Sequence, residues 1–298
     1  MAILKMGFHP DSLARQLDGK RVGVVLSAGF FGFFGHAGFL KALEQAGIVP
    51  SCLGGTSAGA LVAAMSAAGM SADQIGQRIG KVAKKDFWDP DPLGIVREGL
   101  KGLGATGLLR GERFRKLLVD TLPVQTFEQC RTPLLVVAMN LSRGAAQAFT
   151  RGELAPRVHA SCAYPGLFRA ATIEGEHFWD GGLVDKAPAV GLHEAFVPEA
   201  IIVHYLPSRA DAVPRGPLAY AKAIASAMAS LRRDHFDLQV ELLRRTGVPI
   251  AVITSELPEL GPSKLARGPE VLEEARRLSF LALTNAMADM EKLPKTAR

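Results

Sequence analysis

The chain has 298 residues, 48% of them hydrophobic and 21% charged, enough for a sizeable core and unlike a disordered or fibrous chain. Its formal net charge of +6 favours anionic partners. The basic residues, among them Lys81, Lys84, Lys85, Arg110, Arg113, Arg115 and Lys116, are scattered without a nucleic-acid motif, which excludes nucleic acid as the expected partner.

In chain order, residues 1–20 read as a polar lead-in without a signal-peptide core or cleavage site. Arg21–Ser27 is a continuous β-branched run, the pattern of a buried parallel strand. The Gly/Phe stretch AGFFGFFG then reads as a loop, and HAGFLKALEQAG as a helix stopped by Gly47. The span from Val22 to Leu40 is apolar enough to resemble a membrane helix. Its glycines, His36 and its division into strand, loop and helix argue against one. SCLGGTS is a short strand and turn, and Ala58–Met70 a helix of small residues.

Residues 71–125 are more polar and helical, interrupted at DPDPLG and KGLGATG, and have the character of a cap. Pro133–Asn140 and Gln147–Thr150 read as strands, followed by a helix over Leu154–Cys162, a Pro–Gly turn, a strand ending at Trp179 and the loop Asp180-Gly181-Gly182. Strands at Ala200–Leu206 and Pro249–Thr254 and helices over about 217–245 and 270–289 complete the chain. Strands alternating with helices predict an α/β fold with a parallel or mixed sheet covered on both faces. No linker or repeat interrupts 1–298, so one domain is expected. Its core spans about 21–206, its cap about 71–125, and its C-terminal strand and helices about 207–298.

Cys52, Cys130 and Cys162 make no CxxC pair and no metal-type spacing, which suits a reducing compartment. A cytoplasmic protein, touching a membrane at most peripherally, is the expectation. No Walker sequence, HExxH, dinucleotide fingerprint or metal cluster is present.

The sharpest motif is Gly55-Thr56-Ser57-Ala58-Gly59, a G-x-S-x-G set between a strand and a helix. Glycines on both sides of Ser57 relieve crowding in a tight turn, and the helix N-terminus favours developing negative charge. A nucleophilic serine needs a base. Asp180 opens Asp180-Gly181-Gly182 directly after a strand, where two glycines let the backbone fold tightly and aim the carboxylate at the sheet edge. A Ser–His–acid triad using His204 or His235 is the other option. His204, however, lies in the apolar run IIVHYL, and alternation along the strand sets His177 and Asp180 on opposite faces. His36 and His159 fall on predicted helices and read as structural.

Three stretches resemble the patatin-like phospholipases: LSAGFFGFFGHAGFLKALEQAGI (26–48), GGTSAGALVAAM (54–65) and SCAYPGLFRAATIEGEHFWDGGLVDKAP (161–188). GLLRGERFRKLL (107–118) is similar to the family's cap helix, and the likeness spans about 21–190. The resemblance implies a three-layer α/β/α sandwich with a central, mainly parallel sheet. It implies a serine hydrolase acting on carboxylic esters of lipids through an acyl-enzyme, Ser57 as nucleophile and Asp180 as base, with no metal or organic cofactor. The oxyanion hole falls to the backbone of Ala28, Gly29 and Phe30. The family's first loop is usually Gly-Gly-Gly-x-Arg-Gly; here Gly32 stands at the arginine position and one leading glycine remains. Lys186 stands where the family often has Asn. These departures motivate the alternative of a lipid- or acyl-binding protein with weak or lost catalysis. The sequence leaves head group, chain length and oligomeric state open.

Overall fold

A computed structural model describes residues 8–94, 96, 107–208, 216, 219–258 and 260–285. Ile95, residues 1–7, most of the KGLGATG stretch, 217–218 and 286–289, all assigned from sequence to a lead-in, cap or helix, lie outside the described residues.

The strands are β1 (Val22–Leu26), β2 (Pro50–Thr56), β3 (Gly107–Leu109), β4 (Leu134–Asn140), β5 (Ala145–Phe149), β6 (Gly166–Phe168), β7 (Ala171–Ile173), β8 (Glu176–Asp180), β9 (Ala200–Tyr205) and β10 (Ile250–Thr254). The helices are α1 (Leu13–Gln16), α2 (Phe33–Gln45), α3 (Ala58–Ala67), α4 (Ala72–Gly80), α5 (Lys84–Phe87), α6 (Glu112–Thr121), α7 (Leu154–Ser161), α8 (Ala189–Phe196), α9 (Ala219–Arg245) and α10 (Gly268–Thr284). Among the described residues none is long and apolar enough to cross a membrane.

The main sheet runs β10-β9-β1-β2-β4-β8-β7, with β5 paired to β4. From β10 to β4 it is parallel; β5, β8 and β7 join antiparallel. Side-chain alternation divides it into two faces. Val22, Val24 and Leu26 of β1, with Leu134, Val136 and Ala138 of β4, pack in the core beneath the side chains of α2, α3, α4 and α10. Val25, Leu135 and Val137, with Ile201, Val203 and Tyr205 of β9, face Leu192 of α8 and Phe236, Val240 and Leu243 of α9. Burial on both faces makes the continuous apolar strands, and the result is a three-layer α/β/α sandwich with a mainly parallel sheet.

Several elements differ from the sequence reading. The lead-in contains α1, whose Leu13 and Ala14 are buried against α10. Helix α2 begins at Phe33, three residues early, because Gly32 O accepts from His36 N–H and starts the ladder. The phenylalanines are thereby divided between loop and helix. The cap is not purely helical: β3 pairs in parallel with β6, a strand hidden in sequence by the Pro165-Gly166 turn. Helix α4 buries Ile75 and Ile79 in the main core rather than in a cap, and a Ser71–Gln74 capping box starts it. Strand β5 begins at Ala145, two residues early.

Candidate active site

Strand β4 brings Ser57 and Asp180 together. Its first residues, Leu134–Val137, pair with β2, which ends at Thr56 opposite Val137. The same edge is then taken over by β8, whose Asp180 lies opposite Ala138. Because β2 is parallel and β8 antiparallel to β4, their C-terminal ends meet head to head. Ser57 Oγ–H donates to Asp180 Oδ2 at 2.6 Å.

Each motif glycine has a steric reason. A Cβ on Gly55 would meet the backbone of Gly59 and Ala60, and one on Gly59 would run into Leu26 O. On Gly181 it would strike Val137 O, and on Gly182 the Ala28 side chain. Ser57 itself holds φ 55, ψ −123, a strained conformation for a side-chain-bearing residue that lifts it out of the strand as N-cap of α3. Ser161 secures this turn: its Oγ accepts from Ser57 N–H at 2.8 Å and donates to Val137 O at 2.6 Å. Sequence reasoning missed Ser161, since nothing local marks a serine on α7 as a partner of position 57.

Asp180 is 5% exposed. Its Oδ1 accepts from Gly182 N–H at 2.7 Å. Burial pushes its carboxyl up to about 6, against the hydrogen bonds from Ser57 and Gly182 and the charge of Arg232. Cys162 Sγ lies 3.2 Å from Ser57 O, but burial, with the Asp180 charge, drives its thiol well above the ordinary range, which makes it a poor nucleophile.

Among the described residues no histidine ring is hydrogen-bonded to Ser57 or lines its cavity. His177 is exposed and bonded to Thr172; His235 is exposed on α9. His36 and His204 form a buried chain elsewhere. His36 Nε2 is 2.8 Å from Ser27 O, His36 Nδ1 is 2.9 Å from His204 Nδ1, and His204 Nε2 is 3.0 Å from Ser255 Oγ. A carbonyl only accepts, so His36 donates from Nε2, His204 donates from Nδ1 and Ser255 donates to His204. Burial holds both rings neutral, His36 down to about 4 and His204 lower than usual as well. The chain pins β1, β9 and α2 together below the 28–32 loop.

That loop corrects one expectation. Ala28 N–H donates to Lys186 O at 2.7 Å, so it is not free for an oxyanion. The N–H groups of Gly29 and Phe30 have no acceptor among the described residues. The loop closes when Gly32 N–H bonds Gly29 O at 2.9 Å, with Phe31 at φ 53.

Ser57 and Asp180 open onto a cavity of about 420 Å³. Its wall is mainly apolar, with Leu61, Met65, Ile79, Phe87, Leu118 and Phe168, and includes Phe30, Phe31 and Phe33 but not Phe34. Phe34 is 1% exposed, inside the core. Among the described residues no group of three or more His, Cys, Asp or Glu side chains is placed to hold a metal ion.

An uncharacterized NTE family protein of Mycobacterium tuberculosis is 29% identical over 174 residues, 58% of this chain and 46% of that protein. The neuropathy target esterase sws of Drosophila melanogaster is 28% identical over 190 residues, 62% of this chain and 13% of that protein. The chain thus spans less than half the length of these relatives. The crystal structure of VipD from Legionella pneumophila aligns with a TM-score of 0.47 at 18% identity, covering 89% of this chain and 67% of that one. A family model described as patatin-like phospholipase matches residues 24–193, from the middle of β1 through the serine and aspartate motifs into α8, and the chain belongs to that family.

Proposed function

We propose that the protein is a lipid acyl hydrolase that works through a Ser57–Asp180 dyad and an acyl-enzyme. The observation that carries this reading is the 2.6 Å hydrogen bond from Ser57 to Asp180 at the mouth of an apolar cavity. Ser57 Oγ attacks the ester carbonyl as its proton passes to Asp180 Oδ2. The N–H groups of Gly29 and Phe30 and the N-terminus of α3 face the developing oxyanion, a role in which one donor supplies about 2.7–4 kcal/mol of barrier. Collapse breaks the C–O bond, and Asp180 returns the proton to the departing alcohol. In the second half Asp180 takes a proton from water, which attacks the acyl-enzyme; Ser57 leaves and recovers that proton.

The cavity takes the acyl chain, and a lipid surface delivers it. Phe30 at the cavity is 64% exposed, and α9 exposes Ile224, Leu231, Leu238 and Leu242. The second reading, an acyl-binding protein with weak turnover, is favoured by the loss of Ala28 as a donor. A fluorophosphonate probe with intact-mass readout separates the two. Stoichiometric labelling of the wild type and none of Ser57→Ala is the expected result. An unlabelled wild type would leave the binding reading.

A further inference from the structure

The cavity spans the C-terminal end of the sheet between its two covering layers. Met65, Ile79, Phe87 and Leu118 come from the core on the α2–α4 side. Lys186 and Arg232 line the same cavity and belong to the opposite layer. Lys186 Nζ lies 4.4 Å from the ring centroid of Tyr205, and Tyr205 stacks on Phe236 of α9, the helix that carries Arg232.

Among the described residues neither the Lys186 nor the Arg232 side chain is paired with an anion. Lys186 is 3% exposed, and its Nζ donates to the neutral Ser208 Oγ at 2.9 Å. Arg232 Nη1 donates to Gly182 O at 3.2 Å, while Arg232 Nε is buried with no hydrogen-bond partner among the described residues. Among those residues neither side chain has a carboxylate within ion-pair distance. Asp180 feels the Arg232 charge, but its oxygens are bonded to Ser57 and Gly182 and make no ion pair with the guanidinium. Two like charges drawn into one partly dry cavity are costly unless one sheds its proton or an anion completes them, and burial with the Arg232 charge brings Lys186 down to about 7. An oxyanion with several acceptor atoms would complete them, and guanidinium and ammonium groups suit phosphate.

We propose that Lys186 and Arg232 form an anion subsite in the Ser57 cavity, which holds a phosphate carried by the ester substrate and so sets preference for charged over neutral esters. The proposal rests on the hydrolase reading above. Lys186 has a second hold on the reaction: its carbonyl oxygen accepts from Ala28 N–H, so the residue that grips the anion also anchors the start of the oxyanion loop.

The test compares a short-chain glycerophospholipid with a neutral glyceride of the same acyl chain, both below their micelle thresholds. In Lys186→Met and Arg232→Gln the ratio of kcat/KM for the charged over the neutral ester should fall by about tenfold or more, chiefly through KM. Lys186→Arg should keep the ratio within about threefold of wild type, because it retains the charge. A merely structural role would lower both substrates together, and a ratio unmoved in both variants overturns the subsite. Calorimetry on Ser57→Ala gives a readout free of turnover. There, the phospholipid should bind more tightly than inorganic phosphate, and adding Lys186→Met should weaken it. Inorganic phosphate binding as tightly as the lipid would show a free-phosphate site and overturn the substrate role. A wild type that turns over neither ester, with lysine-dependent lipid binding intact, would remove the hydrolase reading and leave the subsite.

Discussion

At the scale of single residues, the proposed mechanism rests most heavily on Asp180 as its base. Its carboxyl stands at about 6 because burial penalises the charge. A base must be unprotonated, so kcat/KM should fall about tenfold per pH unit below that value. A pH–rate profile on a soluble ester checks this, and an acid limb near 4 would contradict it. The same shift has a stability consequence. A carboxylate raised in the folded state favours folding when protonated. Its contribution is therefore complete below the unfolded value of about 3.9 and is lost as pH rises through about 6, at a cost of about 3 kcal/mol. Asp180→Asn should abolish hydrolysis yet melt at or above the wild-type temperature at pH 8. Scanning calorimetry decides it, and a clearly lower Tm would show that the charged form stabilises the fold. Ser161→Ala is the complementary case. It leaves Ser57 N–H without its acceptor in a partly buried position, which costs about 1 kcal/mol or more, and it should lower kcat by loosening the turn. A variant with unchanged Tm and kcat would show that the turn holds itself.

At the scale of elements, the loop and the start of α2 divide the phenylalanines. Phe30 and Phe31 lie before Gly32, and Phe33 and Phe34 after it on α2. Ring contacts link all four in series, and Phe31 also reaches Phe87 at 6.1 Å between centroids. The sequence shows four rings in five positions; it does not show which face the cavity, because that depends on where the helix starts. The structure separates Phe34, packed close to Gly268 of α10, from the three at the cavity. Phe34→Ala should cost about 3–5 kcal/mol of stability and leave the long-chain to short-chain kcat/KM ratio alone. Leu at Phe30, Phe31 or Phe33 should shift that ratio at little cost in Tm. If all three keep the wild-type ratio, the rings are packing only. The motif glycines and Ser57 were readable because their roles are local. The pairing of Ser57 with Asp180 was read from the two motifs and the family resemblance; its geometry was not readable, since it depends on β2 and β8 sharing one edge of β4, a contact across 123 residues. Arg232 was still less visible, being one arginine among several on a long helix.

At the scale of the molecule, the exposed face of α9 bears on how substrate arrives. Phe236, Gln239, Val240 and Leu243 turn inward, while Leu231, Leu238 and Leu242 stay exposed, one ridge at helical spacing. Leu231 adjoins Arg232, which lines the cavity, so the ridge and the cavity mouth share one stretch of helix. On the proposed reading, and with a net charge of +6, a lipid surface containing anionic lipid would fit this face: the charge would draw the protein in and the leucines would add apolar burial. Hydrolysis of a medium-chain ester should therefore rise across its micelle threshold, and rise further with anionic lipid in a salt-sensitive manner. Leu231→Glu with Leu238→Glu should blunt that rise. Both sites are exposed, so each substitution should change stability by no more than about 0.5 kcal/mol. Vesicle sedimentation and the rate profile read the same contact independently. A rate flat through the threshold, or a vesicle-bound fraction unchanged in the double variant, would leave the ridge without a role in delivering lipid to Ser57.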